Sequence, residues 1–178
     1  MTLSLPPSAR VLVERDAVEA AYDRLAAEIA ADYAGREILL LVVMNGGAVA
    51  AVHLAERLDL PVVLDYLHVT RYRGGTRGGV LHWVARPQQD LAGRHVLVVD
   101  DILDEGNTLA AILQHCRDAG AASVRSAVLV HKHHDRRIEG VAADYIGLDI
   151  DDHFIFGCGM DYEEGFRHLR EIWAVEPA

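Results

Sequence analysis

The chain has 178 residues, 51% of them hydrophobic, which is enough to bury one sizeable core in a single domain. Its formal net charge of -10 at pH 7 excludes a broad electrostatic footprint for nucleic acid or for an anionic membrane. An anionic small molecule is still compatible with that charge, because backbone N–H groups, arginines and Mg²⁺ reverse the field locally inside a site.

Residues 1–13 read as an N-terminal arm with a short strand over 10–13. Pro6, Pro7 and Arg10 stand there without an apolar stretch, so no secretory signal is visible. Asp16 and Glu19 form a capping-box pattern. Val18, Tyr22, Leu25, Ile29 and Tyr33 then recur at helical spacing as far as Gly35. Residues 38–43 are a continuous apolar strand of the kind buried on both faces in parallel sheets. With Met44 it makes the longest apolar run, too short to span a bilayer. Asn45-Gly46-Gly47 breaks the strand, 48–58 reads as a helix, and Pro61 precedes a strand over 62–69.

Residues 70–79, Thr-Arg-Tyr-Arg-Gly-Gly-Thr-Arg-Gly-Gly, hold four glycines and three arginines and read as a mobile cationic loop. Strands follow over 80–84 and 95–99, then a helix over 108–119 ended by Gly120, and a strand over 124–131. Residues 144–150 and 154–157 read as short strands and 162–171 as a C-terminal helix. Cys116 and Cys158, the only cysteines, have no metal-ligand spacing and fit a reducing compartment, so a cytoplasmic location is expected. Strands alternating with helices indicate an α/β fold with a mainly parallel, twisted sheet flanked by helices. In such sheets ligands bind at the carboxyl ends of the strands.

Residues 96–108, Val-Leu-Val-Val-Asp-Asp-Ile-Leu-Asp-Glu-Gly-Asn-Thr, carry the most information. A strand-type run ends in two adjacent acids, Asp100 and Asp101; Asp104 follows, and Gly106 and Thr108 open a helix pattern. Backbone N–H groups at a helix start suit a phosphate. The acids suit hydroxyls, a metal ion or a developing positive charge. A phosphorylated ribose offers partners for all of these.

This segment resembles the phosphoribosyl pyrophosphate (PRPP) signature of type I phosphoribosyltransferases, and further segments resemble their hypoxanthine-guanine branch, over about residues 9–176. The resemblance implies a single phosphoribosyltransferase domain with a small hood built from the N- and C-terminal segments, residues 140–178 forming part of a purine-binding hood. Asp100 and Asp101 would bind the ribose hydroxyls, with Asp100 standing where the family usually has Glu. Asp104 would be the catalytic residue, handling the proton of the purine imidazole ring. Glu105, Gly106, Asn107 and Thr108 would wrap the 5′-phosphate.

Met44, Asn45 and Gly46 lie at the position of the family's pyrophosphate loop. Asn45 replaces a frequent Lys or Arg there, and the Met44–Asn45 bond corresponds to one commonly cis. Arg71 and Tyr72 match the mobile-loop Ser-Tyr pair, with Arg in place of Ser; Arg71, Arg73 and Arg77 would offset the pyrophosphate charge. Lys132 matches the lysine that reads O6 of a 6-oxopurine and rejects adenine by leaving a buried donor unpaired. In the run from Asp152 to Tyr162, Phe154 would stack on the base, Ile155 would read its edge through the backbone, and Met160 would pack on the ring's other side. Asp161, with Asp100 and Asp101, would hold Mg²⁺, and Arg167 would lie beside the pyrophosphate.

The activity so implied is purine salvage: hypoxanthine or guanine and PRPP give IMP or GMP and pyrophosphate in a Mg²⁺-dependent enzyme, a homodimer or homotetramer as is usual for the family. Two rivals are a nucleotide-sensing regulator on the same fold and a xanthine-preferring transferase. His131, His133 and His134 read as a solvated basic turn, since consecutive strand residues point to opposite faces and no carboxylate or Cys spacing supports a metal site.

Overall fold

The computed structural model describes residues 4–71 and 81–175, the side chains of Arg71 and Leu81 excepted. The elements in chain order are β1 (Ala9–Val13), α1 (Arg15–Asp32), β2 (Ile38–Met44), α2 (Gly47–Ala55), β3 (Val62–Arg71), β4 (Leu81–Ala85) and β5 (His95–Leu103). Then come α3 (Asn107–Asp118), β6 (Ser123–His133), β7 (Tyr145–Asp151), β8 (Phe154–Phe156) and β9 (Ile172–Val175). Six strands form one sheet in the order β4-β3-β2-β5-β6-β7, parallel except for the edge strand β4. A separate antiparallel sheet, β1-β9-β8, joins the two ends of the chain. No described helix is long and apolar enough to cross a membrane.

β2 shows why the apolar run was legible. Leu40 and Val42 feed a core shared with α1 and α2, while Leu39, Leu41 and Val43 feed the core beneath α3. Alternate residues therefore meet two different helical layers, and no position is left for a polar side chain. β5, next to it, divides in the same way, with Leu97 and Val99 in one core and Val96 and Val98 in the other.

Several elements depart from the sequence reading. α1 begins at Arg15 behind Glu14, whose side chain makes no cap, and Asp16 lies in the first turn, where it complements the helix dipole; the capping box does not form. α2 stops at Ala55, and the amides of Arg57 and Leu58 both turn back onto the Leu54 carbonyl. β5 extends through both acids, and β6 through Lys132 and His133, so these residues are held by the sheet and do not lie beyond its edge.

The helix expected over 162–171 is absent. Glu163, Glu164 and Phe166 adopt positive φ, and Tyr162 and Gly165 exchange backbone hydrogen bonds in a tight hairpin. The helical spacing of Tyr162 and Phe166 reflects something else: both rings gather around Phe156, at 5.6 and 5.7 Å between centroids. Met44–Asn45 is cis.

Gly147 in β7 leaves no room for a side chain, since a Cβ would lie 2.6 Å from the Leu129 carbonyl oxygen and 3.2 Å from Leu25 of α1. Gly147→Ala should therefore force β7 away from β6 and α1, at a cost of about 1–3 kcal/mol. A thermal melt should show the midpoint falling by several degrees; an unchanged midpoint would show that the strand yields freely.

Candidate functional site

At the carboxyl ends of β2 and β5 lies a cleft of about 540 Å³, lined by Met44, Gly46, Asp100, Asp101, Asp104, Glu105, Gly106, Thr108, Asp161 and Arg167. The sequence reading drew these residues from three distant segments, and the fold brings them to one place. Val43, Val69, Leu103 and Leu109 form its apolar wall.

The acid pair sits at its base. Asp101 is 8% exposed and its backbone N–H donates to the Asp100 carboxylate at 2.9 Å. Two glycines make the burial possible. A Cβ on Gly46 would collide with the Asp101 carboxylate, and one on Gly159 would collide with the Gly46 carbonyl. Gly47 lies so close to β5 that its Cβ would stand 2.5 Å from the Val99 carbonyl oxygen. The glycines after β2 thus let the acid pair and the β2–α2 turn occupy adjoining space.

Burial pushes Asp100 well above the ordinary carboxylate range, reinforced by the Asp101 charge beside it. Burial also raises Asp101, opposed by its hydrogen bond with Asp100 and by the Arg167 guanidinium. Arg167 is itself held by the Asp161 carboxylate and the Gly159 carbonyl oxygen, each at 2.6 Å. Asp161 also accepts the Glu164 N–H at 3.0 Å. The loop that replaced the expected helix thus delivers one acid and one cation to the cleft.

Gly106, at φ +87°, precedes the first residue of α3, and no side chain caps that helix. The first-turn N–H groups lack intrahelical partners, and Gly106 and Thr108 of this turn line the cleft. A Cβ on Gly106 would press on Val141. The Asn107 side-chain amide donates to the Glu105 carboxylate at 3.2 Å, so Asn107 braces the turn.

Lys132 comes from β6, its side chain 11% exposed, with Nζ 3.8 Å from the Asp104 carboxylate and 3.5 Å from that of Asp152. Asp152 is also paired with Arg136, whose hydrogen bonds are the main cause holding its carboxyl below the usual range. Three contributors escaped the sequence reading. The His134 imidazole, 2% exposed, donates from Nε2 to the Asp104 carboxylate, while its Nδ1 accepts the Arg136 N–H at 3.1 Å. That pair of partners assigns the neutral tautomer with its proton on Nε2. Arg137 donates to the carbonyl oxygens of Lys132 at 2.5 Å and Asp104 at 3.3 Å, strapping the two segments together. His134 is therefore not part of a solvated turn. The usable signal was alternation: residues 132 and 134 fall on the same side.

Phe154 is 58% exposed at the start of β8, edge-on to the Tyr162 ring at 5.9 Å, so one face stays open. The Ile155 side chain is buried, 6% exposed, as a residue reading through its backbone requires. Met160 is 5% exposed and packed in the core with Ile155 and Cys158. Asn45 stands in the turn between β2 and α2, its carbonyl oxygen accepting the Ala48 N–H at 3.3 Å. Arg71 ends β3, but its side chain, like Tyr72, Arg73 and Arg77 in the expected mobile loop, lies outside the described residues.

Residues 11–163 match the family model described as a phosphoribosyl transferase domain. The chain is similar to the hypoxanthine-guanine phosphoribosyltransferase of Streptococcus pneumoniae (strain ATCC BAA-255 / R6), 36% identical over 168 residues, covering 94% of this chain and 93% of that protein. Similarity to the Mycobacterium avium hypoxanthine-guanine phosphoribosyltransferase is 31% over 174 residues, covering 94% and 85%. Among solved structures, a Staphylococcus aureus hypoxanthine phosphoribosyltransferase aligns with a TM-score of 0.88 at 28% identity, covering 94% of this chain and 91% of that one. The Trypanosoma cruzi hypoxanthine phosphoribosyl transferase gives 0.89 at 26% identity, covering 98% and 95%.

The raised Asp100 has a consequence for stability. Its folded pKa exceeds the unfolded value near 3.9, so the cost sets in as pH rises past that value and is complete above the folded pKa. Asp100→Asn should raise the melting midpoint at pH 8, by about 2–4 °C for each kcal/mol relieved in a chain of this size. Near pH 4 the gain should vanish. An equal gain at both pH values would remove ionisation as the cause.

Proposed function

Because the chain belongs to the phosphoribosyltransferase family, we propose that it transfers the 5-phosphoribosyl group of PRPP to N9 of hypoxanthine or guanine. The products are IMP or GMP and pyrophosphate, as expected of a purine-salvage enzyme. One observation carries this reading: the acid pair, the uncapped start of α3 and the Lys132–Asp104 contact converge on one cleft. The intact Lys132 and the half-open Phe154 ring favour catalysis over a nucleotide-sensing role.

In this reading the 5′-phosphate sits on the N–H groups of Gly106, Asn107 and Thr108, and the ribose hydroxyls on Asp100 and Asp101. As the C1′–O bond to pyrophosphate lengthens, the sugar gains positive charge. The neighbouring carboxylates favour that charge over the neutral ground state. N9 closes the bond to C1′, and Asp104 takes the imidazole proton, oriented by Lys132 on one oxygen and His134 on the other. Phe154 offers a stacking face, and Lys132 donates to O6 of the base. Met44, Asn45 and Gly46 line the pyrophosphate side opposite Arg167.

The cleft's donor set suits Mg²⁺, since every acid in it offers hard carboxylate oxygen. The described acids do not close into a three-ligand cage there, which fits an ion that keeps waters and substrate phosphates in its shell. Asp100, Asp101 and Asp161 would hold it, and the bound ion would neutralise the leaving pyrophosphate.

A cytoplasmic location is consistent with two buried free thiols. Self-association, as a homodimer or homotetramer, is supported by an apolar hollow of about 550 Å³ between α2 and β3, where Val52 and Leu64 are more than half exposed.

A PRPP-dependent assay with hypoxanthine, guanine, xanthine, adenine and uracil, with and without Mg²⁺, tests the reaction; turnover of adenine or uracil alone would overturn it. Asp104→Asn should lower kcat by roughly 10²–10⁴-fold with little change in the KM for PRPP. Lys132→Ala should chiefly raise the KM for the purine, and equal losses toward both substrates would contradict its role. In sedimentation velocity, Leu64→Glu should shift an oligomer toward monomer, and a wild-type monomer at micromolar concentration would end the oligomer proposal.

A further inference from the structure

The carboxyl ends of β6 and β7 carry a second polar cluster, separate from the cleft. His131 and His133 stand two residues apart on β6 and share one face, while Lys132 between them faces the other way. On the neighbouring strand Asp149 lies directly beside His131 in the parallel register, and Asp151 beside His133. The donor atoms of His131, His133 and Asp149 all lie within 4.8 Å of one another, the only such group among the described residues. His131 Nδ1 and His133 Nε2 approach the same Asp149 oxygen, at 2.7 and 2.8 Å. The two rings meet edge to face at 4.7 Å, an arrangement that aims both nitrogens inward.

We propose that His131, His133 and Asp149 form a binding site for a divalent late transition-metal ion, Zn²⁺ foremost. Two imidazole nitrogens and a carboxylate oxygen are a borderline donor set that favours such ions over Mg²⁺ or Ca²⁺. Tetrahedral bonds of about 2.0–2.2 Å place neighbouring ligand atoms roughly 3.4 Å apart, so each His–Asp149 contact has to open by ~0.6–0.7 Å, while the two imidazole nitrogens already lie within 4.8 Å of each other. The freedom for that is present, since the Asp149 side chain is 60% exposed and that of His133 54%. The more buried imidazole of His131, 13% exposed, serves as the fixed post. Water completes the coordination on the solvent side.

An ion there joins the edge strand β7 to β6 on the face opposite Lys132, as a clip across the end of the sheet. The sequence reading set a metal aside because consecutive strand residues point to opposite faces and no carboxylate or Cys spacing supported one. The acid comes from the adjacent strand, 16 and 18 residues further on.

The test is calorimetric titration of the full chain with Zn²⁺ in excess Mg²⁺, which occupies the oxygen-only cleft but does not compete for imidazole. Native mass spectrometry counts the ions bound, and Co²⁺ absorption reports their coordination. The expected result is one Zn²⁺ per chain, with affinity falling more than about tenfold in both His131→Ala and Asp149→Asn and the tetrahedral Co²⁺ bands lost. Asp149→Asn changes a mostly exposed side chain, so it carries the test if His131→Ala fails to fold. It should also leave PRPP-dependent turnover in Mg²⁺ unchanged, which separates this site from the catalytic reading. Absence of Zn²⁺ binding by the wild-type chain, or binding that Asp149→Asn does not weaken, overturns the proposal.

Discussion

Two carboxylates set side by side near the end of a central strand, Asp101 buried and Asp100 half-buried, are costly, and much of the architecture around them follows from accommodating that cost. β5 lies between β2 and β6 in the sheet, so Asp100 and Asp101 stand at the centre of the sheet and line the cleft. Their charge is opposed by burial and by each other, and both are raised above the ordinary range. What relieves them is close approach of small or cationic neighbours. Gly46, Gly47 and Gly159 surrender side-chain volume where β5 and its acids lie, and Arg167 brings positive charge to Asp101. A cation entering the cleft would add to that relief.

Arg167 and Gly159 belong to the segment between β8 and β9, which also links the small sheet to the large one. Cys158 and Gly159 donate their backbone N–H groups to the Leu169 and Arg167 carbonyl oxygens, at 2.8 and 2.9 Å, so the loop folds back on itself. Cys158 has φ +51° and Gly159 φ +106°, and the turn at Gly159 brings its own Cα against the Gly46 carbonyl. The small sheet is therefore docked through the same glycine that makes room at the acid pair. Docking of the small sheet and the shape of the cleft thus share one contact.

The sheet and the acid-to-helix segment were legible because each obeys a short-range rule. An uninterrupted apolar strand such as residues 38–43 needs two covered faces, and two acids followed by a Gly-opened helix need a polar ligand. The C-terminal segment was misread because Tyr162 and Phe166 are spaced as on a helix, yet their spacing serves a ring cluster on Phe156. Nothing local announces that Glu163, Glu164 and Phe166 take positive φ, since these are poor residues for that region and are held there by the surrounding structure.

The histidine run shows how far strand alternation could have gone. Treated as a turn, residues 131–134 offer nothing; treated as the last residues of β6 and its exit, they divide into two sets. His131 and His133 face Asp149, while Lys132 and His134 face Asp104. The second set places a cation and a neutral N–H donor on the two oxygens of a single carboxylate, and Arg137 ties the Lys132 and Asp104 carbonyls together. A carboxylate so held keeps its orientation, whereas a free side chain on a loop would lose that orientation to rotation. The reach of β6 beyond the predicted strand end is thus what converts three polar side chains into one positioned group.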